Sequence, residues 1–110
     1  MTEIEWKEQS ADLKELFENY TPLKGDTITI WDINGMNQIF NMSECEFLIS
    51  EKKLEVTEFY SGNGSDNGER VFWFYPSMIS QISIDLKPTG EKPRYFLVNE
   101  RKSNYWCQFR

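Results

Sequence analysis

The chain has 110 residues, enough for one domain around a single core. Aromatic residues make up 15% of it, so a few large rings must supply much of the burial. A formal net charge of −6 argues against broad attraction to nucleic acid or anionic membranes, and the absence of histidine excludes histidine-dependent nucleophiles and metal sites.

The opening stretch MTEIEWKEQS is acidic and has no apolar core of the signal-peptide kind. No apolar run approaches the roughly 20 residues a membrane helix needs. A cytoplasmic protein without membrane contact is expected.

A helix is predicted over about residues 2–20. Thr2 and Glu5 have the spacing of a capping box, and Ser10 offers a second start. At about 100° per residue, Trp6, Leu13, Leu16, Phe17 and Tyr20 share one arc and form a core-facing stripe. Glu5, Glu8, Asp12, Glu15 and Glu18 form a line of carboxylates on the other side. Their spacing of three or four resembles the charge pitch of a phosphate backbone and fits a basic groove on another protein. The same spacing describes an ordinary solvated face. Pro22 and Gly25 end the helix.

From residue 26 to the end the signals are β. TITIWDI alternates, with Ile28 and Ile30 on one face and Thr27, Thr29 and Trp31 on the other. Asn34-Gly35 marks a hairpin, and NQIFNM is the returning strand. CEFLIS and LEVTEFY make a second pair around Glu51-Lys52-Lys53. A polar, glycine-rich loop is predicted from Ser61 to Glu69.

The next strand, RVFWFY, is apolar on both faces: Val71, Trp73 and Tyr75 point one way, Phe72 and Phe74 the other. Something must cover both sides, or one large ring stays exposed; Trp73, the bulkiest on its face, is the expected exposed ring. Pro76 stops this strand. In ISQISIDL, Ile79 falls on the opposite parity from Ile82 and Ile84, so a bend is predicted between Pro76 and Ser80. KPTGEKP breaks the chain again, and RYFLV and YWCQF close it as a hairpin about NERKSN. About eight short strands and one helix predict an α+β domain spanning 1–110: an N-terminal helix packed on a strongly curved, mainly antiparallel sheet or small open β-barrel.

Few constellations suit catalysis. Cys45 sits between Glu44 and Glu46, which raise a thiol's pKa, and Cys107 lies in an apolar strand; both read as reduced core cysteines. NGSDNG fails the calcium-loop spacing because Phe74 stands where a bidentate glutamate is needed. Gly62 and Gly64 lack the Lys-Ser/Thr pair of a phosphate loop. Asp32, Glu51 and Lys53 superficially resemble the carboxylates and lysine of a Mg²⁺ nuclease, although Glu-Lys-Lys is also a common charged turn.

Residues 1–86 carry 16 acids and 6 bases, whereas 87–110 carry 2 acids and 6 bases. The basic tail interleaves arginines with aromatics, a pattern that can bind single-stranded nucleic acid, but alternation assigns most of those rings to the core.

The expectation is a non-enzymatic, acidic protein-binding module with no cofactor and no metal. It would act as an inhibitor that masks a basic site on a toxin or nucleic-acid-binding enzyme. Bacterial toxin-immunity proteins and phage anti-defence proteins have this size and charge; the comparison is one of character, carried by no motif. The expected partner-binding residues are Glu5, Glu8, Asp12, Glu15 and Glu18 for steering, with Trp31 and Trp73 as anchors. The alternatives are a small Sm-like or pleckstrin-like β-barrel that binds a ligand, nucleic acid or its own copies through sheet edges, and a carboxylate-metal nuclease.

Overall fold

The computed structural model describes residues 3–61 and 67–99, with the side chains of residues 3–5, 61 and 67 outside that description. Helix α1 runs Glu3–Asn19, within a residue or so of the predicted span. Trp6 and Leu13 are buried, and Leu16, Phe17 and Tyr20 pack against the core, so the stripe read from the sequence is the packed face. Asn19 Nδ2 donates to the Glu15 carbonyl at 2.9 Å, satisfying one of the last-turn acceptors.

Among the described residues seven strands follow: β1 Thr27–Asp32, β2 Asn37–Asn41, β3 Cys45–Ile49, β4 Leu54–Ser61, β5 Asn67–Phe74, β6 Ile79–Asp85 and β7 Arg94–Leu97. All pairings are antiparallel, and they divide the strands into two sheets. One has the order β2-β1-β6-β7 and the other β3-β4-β5. The fold is therefore α+β, one N-terminal helix on antiparallel sheet, with the strands shared between two sheets.

Their inner faces meet. Ile28 and Ile30 of β1, Phe40 of β2, Ile82 and Ile84 of β6 and Phe96 of β7 are buried against Leu54 and Val56 of β4. The rings of Phe72 and Phe74 stand edge-on to Phe40, with centroids 5.1 and 6.0 Å away. This second layer covers one face of the doubly apolar strand. Helix α1 closes the side next to β3: Phe17 stacks on Phe47 at 4.6 Å, and the Trp6 indole N–H donates to the Ser50 carbonyl at 2.9 Å.

Two local devices reconcile the sequence pattern with this packing. The β1–β2 hairpin turns through Ile33–Gly35 with only Gly35 at positive φ (88°), so Asn34 is not left-handed. Asp32 Oδ1 accepts from the backbone N–H groups of Asn34 and Met36 at 2.8 and 3.0 Å, an Asx-type brace. On β6, Trp31 pairs with Gln81 but Asp32 pairs with Ile79, so Ser80 is the extra residue of a bulge. The bulge switches parity and lets Ile79 join Ile82 and Ile84 in the core, as the predicted bend required.

Strands β4 and β5 extend further into the expected Ser61–Glu69 loop than the sequence implied, pairing as far as Ser61 with Asn67. The Tyr60 ring lies over Gly68, where a Cβ would push the exposed tyrosine ring aside. The remainder of that loop, the predicted YWCQF strand and Cys107 lie outside the described residues.

Candidate functional site

The outer face of β3-β4-β5 is where the apolar excess emerges. Register places Leu48, Glu55 and Trp73 in one row across the three strands, Glu46, Thr57 and Val71 in the next, and Phe59 beside Glu69 beyond. Leu48, Phe59, Val71, Trp73 and Tyr75 are all exposed large apolar residues. Neither α1 nor the second sheet covers them, because both pack on the opposite face through Phe47, Phe72 and Phe74.

Trp73 is 58% exposed yet tethered. Its indole N–H donates to Glu55 Oε1 at 2.6 Å, a charge-assisted bond between cross-strand neighbours. Lys53 sits above the ring, its Nζ 4.9 Å from the centroid and 4.0 Å from Glu55 Oε1. Register explains the cluster: residues 53 and 55 share a face, and residue 55 stands opposite 73. The acids of this face, Glu46, Glu55 and Glu69, are residues that the sequence reading did not single out.

Beside Trp73 lies a depression of about 320 Å³, between β5 and the end of the β1–β2 hairpin. Met36, Trp73, Tyr75 and Met78 line its exposed rim, with Ile30 and Phe74 deeper. Two unbranched methionines on the rim can adapt to more than one apolar shape.

The other expected site residues do not join this face. Glu8, Asp12, Glu15 and Glu18 are exposed on α1, which packs against the inner side of β3, whereas Trp73 is on the outer side of β5. The Glu5 side chain is outside the described ones. Trp31 is half-buried on the outer face of the other sheet, in a row with Asn37, Gln81 and Leu97. The expected anchors and steering acids thus occupy three separate surfaces.

The nuclease-like trio is employed otherwise. Asp32 braces its hairpin, Glu51 is exposed in the β3–β4 turn and Lys53 covers Trp73. Among the described residues, no group of three or more histidine, cysteine or acidic side chains could hold a metal ion. Cys45 is a poor nucleophile: burial first, then the charges of Glu58 and Glu44, push its thiol up to about 11. Glu46, its other sequence neighbour, belongs to the outer row with Thr57.

Among the described residues, Asp26 is the buried carboxylate, where α1 meets β1. Its Oδ2 accepts from the Tyr20 hydroxyl at 2.5 Å and from the Leu23 N–H at 2.7 Å, and its backbone carbonyl accepts from Met42 at 2.9 Å. The hydrogen bond to Asp26, then burial, then the charges of Asp26 and Glu91 raise the Tyr20 hydroxyl to about 12. The site is structural: it ties the helix exit to the first strand.

Among the described residues, no helix is long and apolar enough to cross a membrane. No protein-family model, curated protein or solved structure matches the chain.

Proposed function

We propose that this protein is a non-enzymatic, acidic binding module that masks a basic site on a partner protein, acting as an inhibitor of the toxin-immunity or anti-defence kind. What carries the reading is Trp73: a large ring, 58% exposed, held in one pose by Glu55 and Lys53 on a face that also exposes Leu48, Val71 and Tyr75. Binding hot spots favour tryptophan and tyrosine, and a ring already fixed loses little freedom when covered. Glu46 and Glu69 lie on the two outer strands of the face and Glu55 on its central strand, and the overall charge of −6 attracts basic surfaces from a distance. In this reading Trp73 anchors, while Glu8, Asp12, Glu15 and Glu18 act on the rate of encounter from another side.

The test compares wild type, Trp73→Ala and the reversal of all four helix acids to lysine as immobilised baits, with binding kinetics on whatever wild type captures. The reading expects one basic protein whose dissociation speeds at least 30-fold with Trp73→Ala, a hot-spot loss of about 2 kcal/mol. Charge reversal should slow its association about tenfold at low salt. A captured protein that binds Trp73→Ala unchanged would sink the reading.

A second reading is favoured by one observation. Strand β5, eight residues long, is the last strand of its sheet among the described residues, a template for strand addition by another copy. Concentration-dependent sedimentation separates the two: a dimer disrupted by Val71→Lys supports self-assembly, and a monomer at all concentrations dismisses it.

A further inference from the structure

We infer that Trp73 and Glu55 form a half-cage for a cation, that its intended occupant is an arginine side chain of the partner, and that Lys53 is a placeholder which that arginine displaces. The inference rests on the reading of this face as a protein-binding surface and specifies the chemistry it recognises.

The half-cage has two walls. The indole face offers a negative quadrupole, and the Glu55 carboxylate, fixed by its 2.6 Å bond to the indole N–H, sets a formal charge at the ring's edge. A cation over the ring and beside the carboxylate meets both at once. Lys53 demonstrates that the arrangement attracts one, yet it fits loosely. Its ammonium lies 4.9 Å from the ring centroid and 4.0 Å from Glu55, the outer limit of an ion pair, and its side chain remains 38% exposed. An ammonium is a hydrated point charge that cannot stack.

A guanidinium is planar, less hydrated and fork-shaped, so it can lie flat on the indole while donating to the carboxylate. Lys53 starts from the β3–β4 turn and can swing into solvent when replaced, because Leu54, the first residue of β4, is the buried one.

The test uses a hexa-arginine peptide as the probe and the indole ¹⁵N–H resonance of Trp73 as the readout, assigned by its absence in Trp73→Phe. The expected result is a shift of the Trp73 indole with the buried Trp6 indole unmoved. Lys53→Ser should tighten binding about two- to fivefold, the worth of one exposed cation–π contact. Glu55→Gln should weaken it by at least as much. Lys52→Ser controls for net charge, since it removes the same charge from the adjacent turn position; equal tightening by Lys52→Ser and Lys53→Ser overturns the inference.

So does an indole that hexa-arginine leaves unmoved. If that happens while the protein captured by wild type is still lost in Trp73→Ala, the arginine site falls and the binding face stands. A captured protein indifferent to Trp73→Ala overturns the face, and the partner's arginine with it, whatever the peptide does.

Discussion

Replacing Asp26 should be among the most damaging single changes in the chain, and the size of the effect can be worked out. Asp26 is fully buried, and one of its oxygens accepts two bonds, from Tyr20 at 2.5 Å and Leu23 at 2.7 Å. Hydrogen bonds to a charged acceptor contribute about 1.5–3 kcal/mol each, so Asp26→Ala stands to lose about 3–6 kcal/mol. The other oxygen, Oδ1, is buried with no hydrogen-bond partner, and deleting it relieves a desolvation cost. That offset places the net loss near the lower end, about 3–4 kcal/mol.

With an unfolding entropy of about 2.1 cal/mol/K per residue, 1 kcal/mol corresponds to about 4 °C here, so Tm should fall by about 12–16 °C. Asp26→Asn keeps an acceptor but loses the charge, and should fall about half as far. Urea unfolding followed by tryptophan fluorescence measures both. The same site predicts a pH dependence. The Tyr20 hydroxyl is raised from 10.0 to about 12 in the folded protein, so the stability it contributes is complete below pH 10 and is lost as pH rises towards about 12. The stability gap between wild type and Tyr20→Phe should therefore be constant up to about pH 9 and shrink between 10 and 12. A gap that stays constant through pH 12 would refute the Tyr20–Asp26 bond, and a loss below 1 kcal/mol in Asp26→Ala would refute its weight.

Trp73→Ala should lower stability by only roughly 1–2 kcal/mol, because less than half of the ring is covered. Trp6→Ala should cost about 3–5 kcal/mol, since that ring is 2% exposed and its N–H holds Ser50; urea midpoints of the two variants test the contrast. Asn99→Ala removes a side-chain amide that donates to the carbonyls of Pro76 and Ile79, both at 2.6 Å, and should destabilise by about 1–3 kcal/mol in the same assay. Cys45, with its thiol near 11, should alkylate slowly at pH 8 and quicken steadily towards pH 11, read by mass spectrometry of its own peptide.

Period-two alternation and breaker residues make the strands β1 to β4 legible, and alternation separates Ile28 and Ile30 of β1 from its other face, while the 3.6-residue stripe gives α1 its packed face. Parity also separates Phe72 and Phe74 from Val71, Trp73 and Tyr75, but it does not say which set faces the core. That depends on β2 lying over β5, and β2 belongs to a sheet held by pairing of β1 with β6 about fifty residues away. The Ser80 bulge is detectable as a parity conflict in ISQISIDL, although only the pairing with Asp32 locates the extra residue. Asp26 carries no comparable signal: next to Gly25, an aspartate before a strand reads as turn chemistry, and nothing local announces a tyrosine six residues earlier as its partner. The Lys53–Glu55–Trp73 cluster is hidden for the same reason. Lys53 and Glu55 are visibly on one face of their strand, but register alone puts residue 73 beside residue 55.

A strand that is the last of its sheet among the described residues, with Val71 and Trp73 exposed on one side, is a hazard, since it invites strand addition and aggregation. The contacts that prepare Trp73 for a partner also reduce that hazard. Glu55 and Lys53 place opposite charges at the edge and over the face of the ring, so another apolar strand would have to desolvate an ion pair in order to stack there. A partner that supplies its own cation meets no such barrier, because it replaces one charge with another. The same pair of residues therefore discriminates between two kinds of visitor, repelling neutral apolar strands and admitting basic ones. Replacing both with alanine should consequently do two things at once: lower solubility on concentration, measured by light scattering, and weaken hexa-arginine binding. Loss of binding with unchanged solubility would separate recognition from protection.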